Sequence, residues 1–465
     1  MIAMLLDRAR PRALLASFLV VALCLVTGNA ILRYPAVDLF AFAGAIAVAI
    51  LAWNRPSLFG IGLVAMLLVP YTWSPTLRTS PMPLVVLFAL PGALIGAGRL
   101  MVRGGLRLCA LDYLMVGLFA SVILSEVETS AHSVLGIHSL SHTEATAILL
   151  PYVAFRLILA AWPQIIANLP GVLIVVGVGL SLVAIWEELR GSTPFVTSSF
   201  NNPLLAEWER NYPRAGGVRA QAMMGHPIAL GSFLVIPLVF ALAQRRWGLF
   251  VLLALGEALT LSRGPYIAAI AAVSLYSVLT RRAGRFLIIT AVAATLALFI
   301  GPVGSSITNS FEPGTAEQLN ASYRSTLLST SITELTLWGH PTRPTAELYS
   351  NGQVHLRDVT SEFALLPGEQ GALGLLIWTG LLAAFIYTVR EARRRADSLL
   401  LVLGAALVGE WIALLSVALI TTFADAFLLT VAVTATRLGL PAPLATPKPD
   451  VAPCVLSPGP VMLQS

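Results

Sequence analysis

Charge is what this sequence has least of. Only 11% of its 465 residues are Asp, Glu, Lys or Arg, against about a quarter in an average soluble domain. The length alone would allow several soluble domains, but the apolar runs leave room for one only in the two longest loops. Cysteine is nearly absent too. Cys24, Cys109 and Cys454 stand alone, the first two in or beside apolar runs, which excludes a disulfide framework and a thiolate metal site. No repeat of fixed period occurs. The formal charge of +6 suggests nucleic acid as a partner. That reading is excluded because the basic residues form short clusters between apolar runs, where they set orientation.

What remains is apolar. These residues make up 57% of the chain, mean hydropathy is +0.83, and the runs are about 16–22 residues long, enough to cross a hydrocarbon core of roughly 30 Å. Spans fall near 12–28, 37–53, 57–73, 82–98, 108–126, 143–161, 166–187, 226–243, 247–262, 264–280, 285–302, 370–390, 398–417 and 419–436. The expected fold class is all-α, a polytopic membrane helical bundle of about 12–14 transmembrane helices with a large outer loop. Arg8, Arg10 and Arg12 precede Ala13–Val26 as in a secretory signal. With so many later spans, an uncleaved first helix that doubles as export signal is expected. Pro91 and Pro237 fall inside spans, where neighbouring helices can re-satisfy a kinked backbone.

The arginines orient the bundle. With a cytoplasmic N-terminus, Arg99/Arg103/Arg107, Arg245/Arg246, Arg281/Arg282/Arg285 and Arg390/Arg393/Arg394/Arg395 all lie inside, as the positive-inside rule requires. The chain then divides into N-terminal transmembrane helices (1–188), an outer loop (189–225), transmembrane helices (226–302), a large outer loop (303–369), C-terminal transmembrane helices (370–438) and a tail (439–465). Loops of that size are functional or disordered. Tyr323, Trp338, Tyr349 and Phe363 predict order in part of the larger one. The tail carries seven prolines between Pro441 and Pro460 and reads as disordered and cytoplasmic.

Outer-side arginines depart from this pattern. Arg219 lies in Gly217-Val218-Arg219-Ala220, shortly before Gly225-His226-Pro227; Arg263 lies in Leu261-Ser262-Arg263-Gly264 between two spans; Arg324 lies in Ser322-Tyr323-Arg324-Ser325. A guanidinium at a membrane boundary is costly unless paired or facing a polar cavity. Three facing one cavity would suit a phosphate or pyrophosphate, which the forked donors bind well. The plainer alternative is that each snorkels to the interface or pairs with a loop carboxylate.

The order of these pieces, followed by Thr360-Ser361-Glu362-Phe363 and Glu369-Gln370-Gly371 before a new span, resembles the O-antigen ligase and polymerase superfamily of bacterial membrane glycosyltransferases. The resemblance covers roughly residues 210–390. It implies metal-independent transfer of glycan from an undecaprenyl-pyrophosphate carrier to a glycan or lipid acceptor, at the outer face of the bacterial inner membrane, with no cofactor. By motif position, Arg263 and Arg324 match the family's two functional arginines, and Arg219 a further basic residue. Family ligases carry His-Asn, and polymerase-like members Asp-Asn, where this chain has Thr360-Ser361. Threonine is a poor general base at neutral pH. Glu362 is the favoured substitute, ahead of Asp358, Glu369, His340 and His355. The catalytic candidates are therefore Arg263, Arg324 and Glu362, and the substrate-binding candidates Arg219, His226, Arg214 and Glu369.

Other groups support rival readings. His138 and His142, four apart after Glu126, Glu128 and His132, have a spacing that would suit a metal; a polar outer loop explains them as well, and no metal is expected. His226 reads as a helix-start residue. Glu257, Glu410 and Asp425 lie within apolar runs, where acids face the bundle interior. They suit a proton- or ion-coupled transporter of lipid-linked glycans or small solutes, or simply polar bridges between helices. Against transport, no paired broken helices or internal symmetry stand out. A non-catalytic scaffold is the third class.

Overall fold

The computed structural model describes residues 35–70, 76–77, 80–81, 84–103, 106–130, 145–195, 213–214, 217–280, 332–333, 335–339, 347–348, 354–355, 370–415 and 421–440. Among them run twelve α-helices: α1 Pro35–Asn54, α2 Pro56–Ala65, α3 Leu84–Arg103, α4 Ala110–Ser130, α5 Leu150–Ala161, α6 Ile165–Arg190, α7 Pro227–Ala243, α8 Trp247–Ala258, α9 Arg263–Leu279, α10 Gly371–Arg395, α11 Ser398–Ala413 and α12 Thr421–Gly439. Short 3-10 turns at Met66–Leu68 and Ala222–Met224, a π-helical turn at Ala145–Leu149 and three two-residue antiparallel ladders complete the described elements: β1–β2 (Thr76–Leu77 with Ser80–Pro81), β3–β4 (Pro213–Arg214 with Gly217–Val218) and β5–β6 (Glu347–Leu348 with Val354–His355).

Each helix coincides with an expected span. The spans expected at 12–28 and 285–302 lie outside the described residues, as do most of the loop 303–369 and the tail beyond Leu440. Three helical stretches, Leu84–Val102, Gln164–Arg190 and Gly371–Arg395, are long and apolar enough to cross a membrane; several others are apolar but only 10–17 residues long. The span expected to reach 262 stops short for a visible reason. Past Ala258 the chain tightens, with Thr260 N–H donating to the Glu257 carbonyl (3.0 Å) and Leu261 N–H to that of Ala258 (3.1 Å). Leu261 then takes a left-handed φ of 49°, which ends a helix.

The helices are apolar on both their inward and their outward faces. Ala229 to Leu242 of α7 and Thr422 to Thr436 of α12 are buried throughout, as expected of core helices apolar all round. Around them, α6 turns Val175, Leu182 and Leu189 outward, and α8 turns out Trp247, Val251 and Leu255. These sets recur at helical spacing, so each is one exposed stripe. Apolar stripes of this extent on many helices are unusual in water and fit a bundle solvated by lipid. Helix contacts are close where residues are small. At Gly409 of α11 a Cβ would sit 2.6 Å from Ala272 Cβ and 2.8 Å from the Ala268 carbonyl of α9, an approach only glycine permits.

Polar contacts gather at two opposite ends. At one, Arg99 lies over the rings of Trp53 and Trp162 (5.7 and 5.1 Å). Arg156 of α5 pairs with Asp112 of α4 (2.8 Å) and donates to Thr436 Oγ1 and the Arg107 carbonyl; Tyr152 donates to the same carboxylate. Nearby, Asp397 caps α11 through Leu400 N–H and pairs with Arg437 (2.7 Å), and Arg395 donates to the Leu440 carbonyl. The 26 residues of α6, starting beside Trp162, carry the chain about 39 Å from this end. Its far end reaches the second polar region.

Candidate functional site

The second region is built where two separated segments, 217–226 and 258–266, meet. The first has no regular structure beyond β4 and one short 3-10 turn at Ala222–Met224, yet Ala220, Gln221, Ala222 and Met224 are buried. Non-helical backbone in such surroundings needs partners for its N–H groups. Glu187, on the last turns of α6, supplies them: its Oε2 accepts from both Gln221 N–H and Ala222 N–H (2.9 Å each). Ala220 N–H donates to the Leu259 carbonyl (3.1 Å) and so ties the segment to the end of α8.

This places Arg219 against the α8–α9 turn. Its Nε donates to the Thr260 carbonyl (3.0 Å), and an Nη donates to Ser262 Oγ (2.7 Å). Ser262 Oγ in turn donates to the Thr260 carbonyl (3.0 Å). Thr260 Oγ1 donates to the Glu257 carbonyl (2.8 Å), and the Tyr266 hydroxyl reaches back to that of Ala258. The turn is thus closed from both sides. Arg263 follows as the first residue of α9 and is half-buried. His226 caps α7, its Nδ1 accepting from Ile228 N–H (3.2 Å), and lies within electrostatic reach of Arg219. Arg219, bound to Thr260 and Ser262, and Arg263, the residue after Ser262, therefore belong to one small, half-buried assembly.

No family model matches this sequence, and no curated protein is significantly similar to it.

At the same end stands the start of α10, whose other end carries Arg395. Gly371 adopts φ +64°, and a Cβ there would lie 2.4 Å from Gly339 N and 2.6 Å from the Thr336 carbonyl, so only glycine fits. The Thr336 and Leu337 carbonyls accept from Ala372 and Leu373 N–H (2.8 and 3.2 Å). Gln370 is buried and accepts from Ser121 Oγ of α4 (3.1 Å). A stretch of the large loop around Thr336–Leu337 is therefore fastened to the start of α10.

Of the residues singled out from sequence, Arg219, Arg263 and His226 come together. Arg324, Glu362, Glu369, Asp358 and His340 lie outside the described residues, as do His132, His138 and His142. Arg214 is described only as backbone, paired with Gly217 in β3–β4, and His355 likewise in β6. Among the acids, Glu257 and Glu410 are fully buried and near one another; Asp425 is buried on α12. Sequence reasoning missed Glu187, Gln221, Thr260 and Ser262, as well as the Asp112–Arg156 pair. Nothing in the sequence marks Glu187, since its partners lie 34 and 35 residues onward. For Arg156 a signal existed: a lone arginine inside an apolar run implies a buried counter-charge.

Proposed function

We propose that the chain is a multi-pass protein of the bacterial inner membrane, with cytoplasmic termini and 303–369 as its outer loop, that transfers glycan from an undecaprenyl-pyrophosphate carrier. One observation carries the reading: Arg219 and Arg263 share a turn held by buried polar contacts. The grouping of Arg99, Arg107, Arg395 and Arg437 at the opposite end supports the orientation.

Depth follows from helix length. The 12 residues of α8 rise about 18 Å, so a helix that starts at Arg246 near the cytoplasmic surface ends roughly 10 Å short of the outer edge of the hydrocarbon. The arginine turn then lies below the outer edge of the hydrocarbon, a depth at which irregular backbone such as 217–226 is tolerated only when buried or lining a cavity. A sugar leaving its pyrophosphate transfers negative charge to the carrier. Arg219, fixed beforehand on Thr260 and Ser262, stabilises that charge without reorganising, an effect worth about 3–4 kcal/mol for one strong donor, and Arg263 follows Ser262 on the same turn. The acceptor hydroxyl needs a base, for which Glu362 is the candidate; with Thr360-Ser361 where ligases have His-Asn, chain polymerisation is favoured over ligation to lipid A–core.

Purified protein supplied with undecaprenyl-pyrophosphate-linked oligosaccharide should lengthen the glycan. Arg263→Ala and Arg219→Ala should each slow it by about 10²–10³-fold. No turnover in the wild type, or turnover indifferent to both arginines, sinks the proposal. The second reading, transport, draws on the buried Glu257 and Glu410; solute flux in proteoliposomes that is lost in Glu410→Gln would favour it.

A further inference from the structure

Beneath the arginine turn lies a pair of acids that the transfer reaction does not use. Glu257 on α8 and Glu410 on α11 are 4% and 0% exposed. Among the described residues, both carboxylate oxygens of Glu410 and Oε1 of Glu257 are buried with no hydrogen-bond partner. The charge of Glu257 acts on Glu410. A polar bridge between helices would give Glu410 a donor, and among the described residues its oxygens have none. Two like charges confined in an apolar interior repel each other and forgo hydration, so the pair cannot remain doubly ionised.

We propose that Glu257 and Glu410 form a proton-binding site inside the bundle, in which two neighbouring buried carboxyl groups take up and release a proton. The proton is drawn from water and forms an O–H bond on one carboxylate; its release restores the charge. A metal ion would require more oxygen ligands, and among the described residues no group of three or more His, Cys, Asp or Glu side chains gathers to hold one. The helices packed on the pair bring other titratable groups. Glu187 on α6 is held by backbone N–H groups, His226 caps α7, and Arg263, Tyr266 and Tyr276 belong to α9. Asp425 on α12 is buried with Oδ2 unpartnered. Among described residues none of these acts appreciably on Glu257, and only Glu257 does on Glu410.

The site is connected to the arginine turn through one residue. The Glu257 carbonyl accepts from both Thr260 N–H (3.0 Å) and Thr260 Oγ1 (2.8 Å), and the Thr260 carbonyl accepts from Arg219.

Infrared spectroscopy of the purified full-length chain in lipid nanodiscs tests the proposal without any assumption about glycan transfer. At neutral pH the wild type should show the carbonyl stretch of a protonated carboxylic acid. Glu257→Gln and Glu410→Gln should each shift it, and the double variant should lose it. The single variants carry the test where the double variant does not fold. A wild type without such a band at neutral pH, or a band that none of the variants changes, overturns the proposal. So does stabilisation by sodium over potassium that the substitutions abolish in the absence of a carboxyl band, since that assigns the pair to a metal ion.

Discussion

Replacing Glu187 should loosen the segment that carries Arg219 while leaving the bundle intact. In the wild type one buried oxygen accepts two backbone N–H groups, from Gln221 and Ala222, at 2.9 Å each. Glu187→Ala removes that acceptor and leaves both donors in a site from which water is excluded. An unsatisfied buried donor costs about 1–3 kcal/mol, so the two together cost about 2–6 kcal/mol if the segment stays in place. The cheaper course is for 219–224 to leave its seat and recover hydrogen bonds elsewhere, which surrenders the Ala220–Leu259 and Arg219–Thr260 bonds. Glu187→Gln keeps a carbonyl oxygen able to accept both bonds, though without charge, and should cost only about 1 kcal/mol. Hydrogen–deuterium exchange by mass spectrometry in detergent reads this directly. In Glu187→Ala, peptides covering 219–226 should exchange faster, those from α7 and α12 should not, and Glu187→Gln should fall close to wild type. Unchanged exchange at 219–226 in the alanine variant would refute the argument that this carboxylate holds the segment.

Arg156→Ala leaves Asp112 charged and buried, and should destabilise the chain by about 3–5 kcal/mol. The double variant Asp112→Asn/Arg156→Met should recover part of that loss in thermal unfolding; a double variant that loses as much as Arg156→Ala and Asp112→Asn added together would mean the pair is not coupled. Gly371→Ala combines a left-handed φ with a Cβ only 2.4 Å from Gly339 N, so it should lower the melting temperature and expose 335–339 to proteolysis, whereas alanine at Gly248, which meets nothing within 4 Å, should do neither. Ser262→Ala removes one of the two acceptors that orient Arg219; it should slow glycan transfer less than Arg219→Ala, and both together should act no worse than Arg219→Ala alone.

The placement of helices was legible because it depends on a one-dimensional property. A run of apolar side chains is helical and lipid-seeking wherever it occurs, and α1 to α12 follow those runs closely. Ends were less legible. α8 stops at Ala258, short of the span expected to reach 262, and the left-handed Leu261 together with the docking of Arg219 on the Thr260 carbonyl and of Tyr266 on Ala258 shows why the turn comes there. The arginine assembly was half legible: Arg219 and Arg263 stood out because charge is scarce at a membrane boundary, but Glu187, which seats one of them, did not.

The sequence by itself therefore determined the helical class, the stretches suited to lipid and the expected sidedness of the arginine clusters, since each follows from local hydropathy and charge. Tertiary structure alone decided which polar groups serve one another. Glu187 finds its donors 34 and 35 residues away, Arg156 finds Thr436 across 280 residues, and Glu257 finds Glu410 on a different helix. In an apolar interior a polar side chain takes whichever partner helix packing brings within reach, and packing is set by small residues and shape rather than by any pattern along the chain.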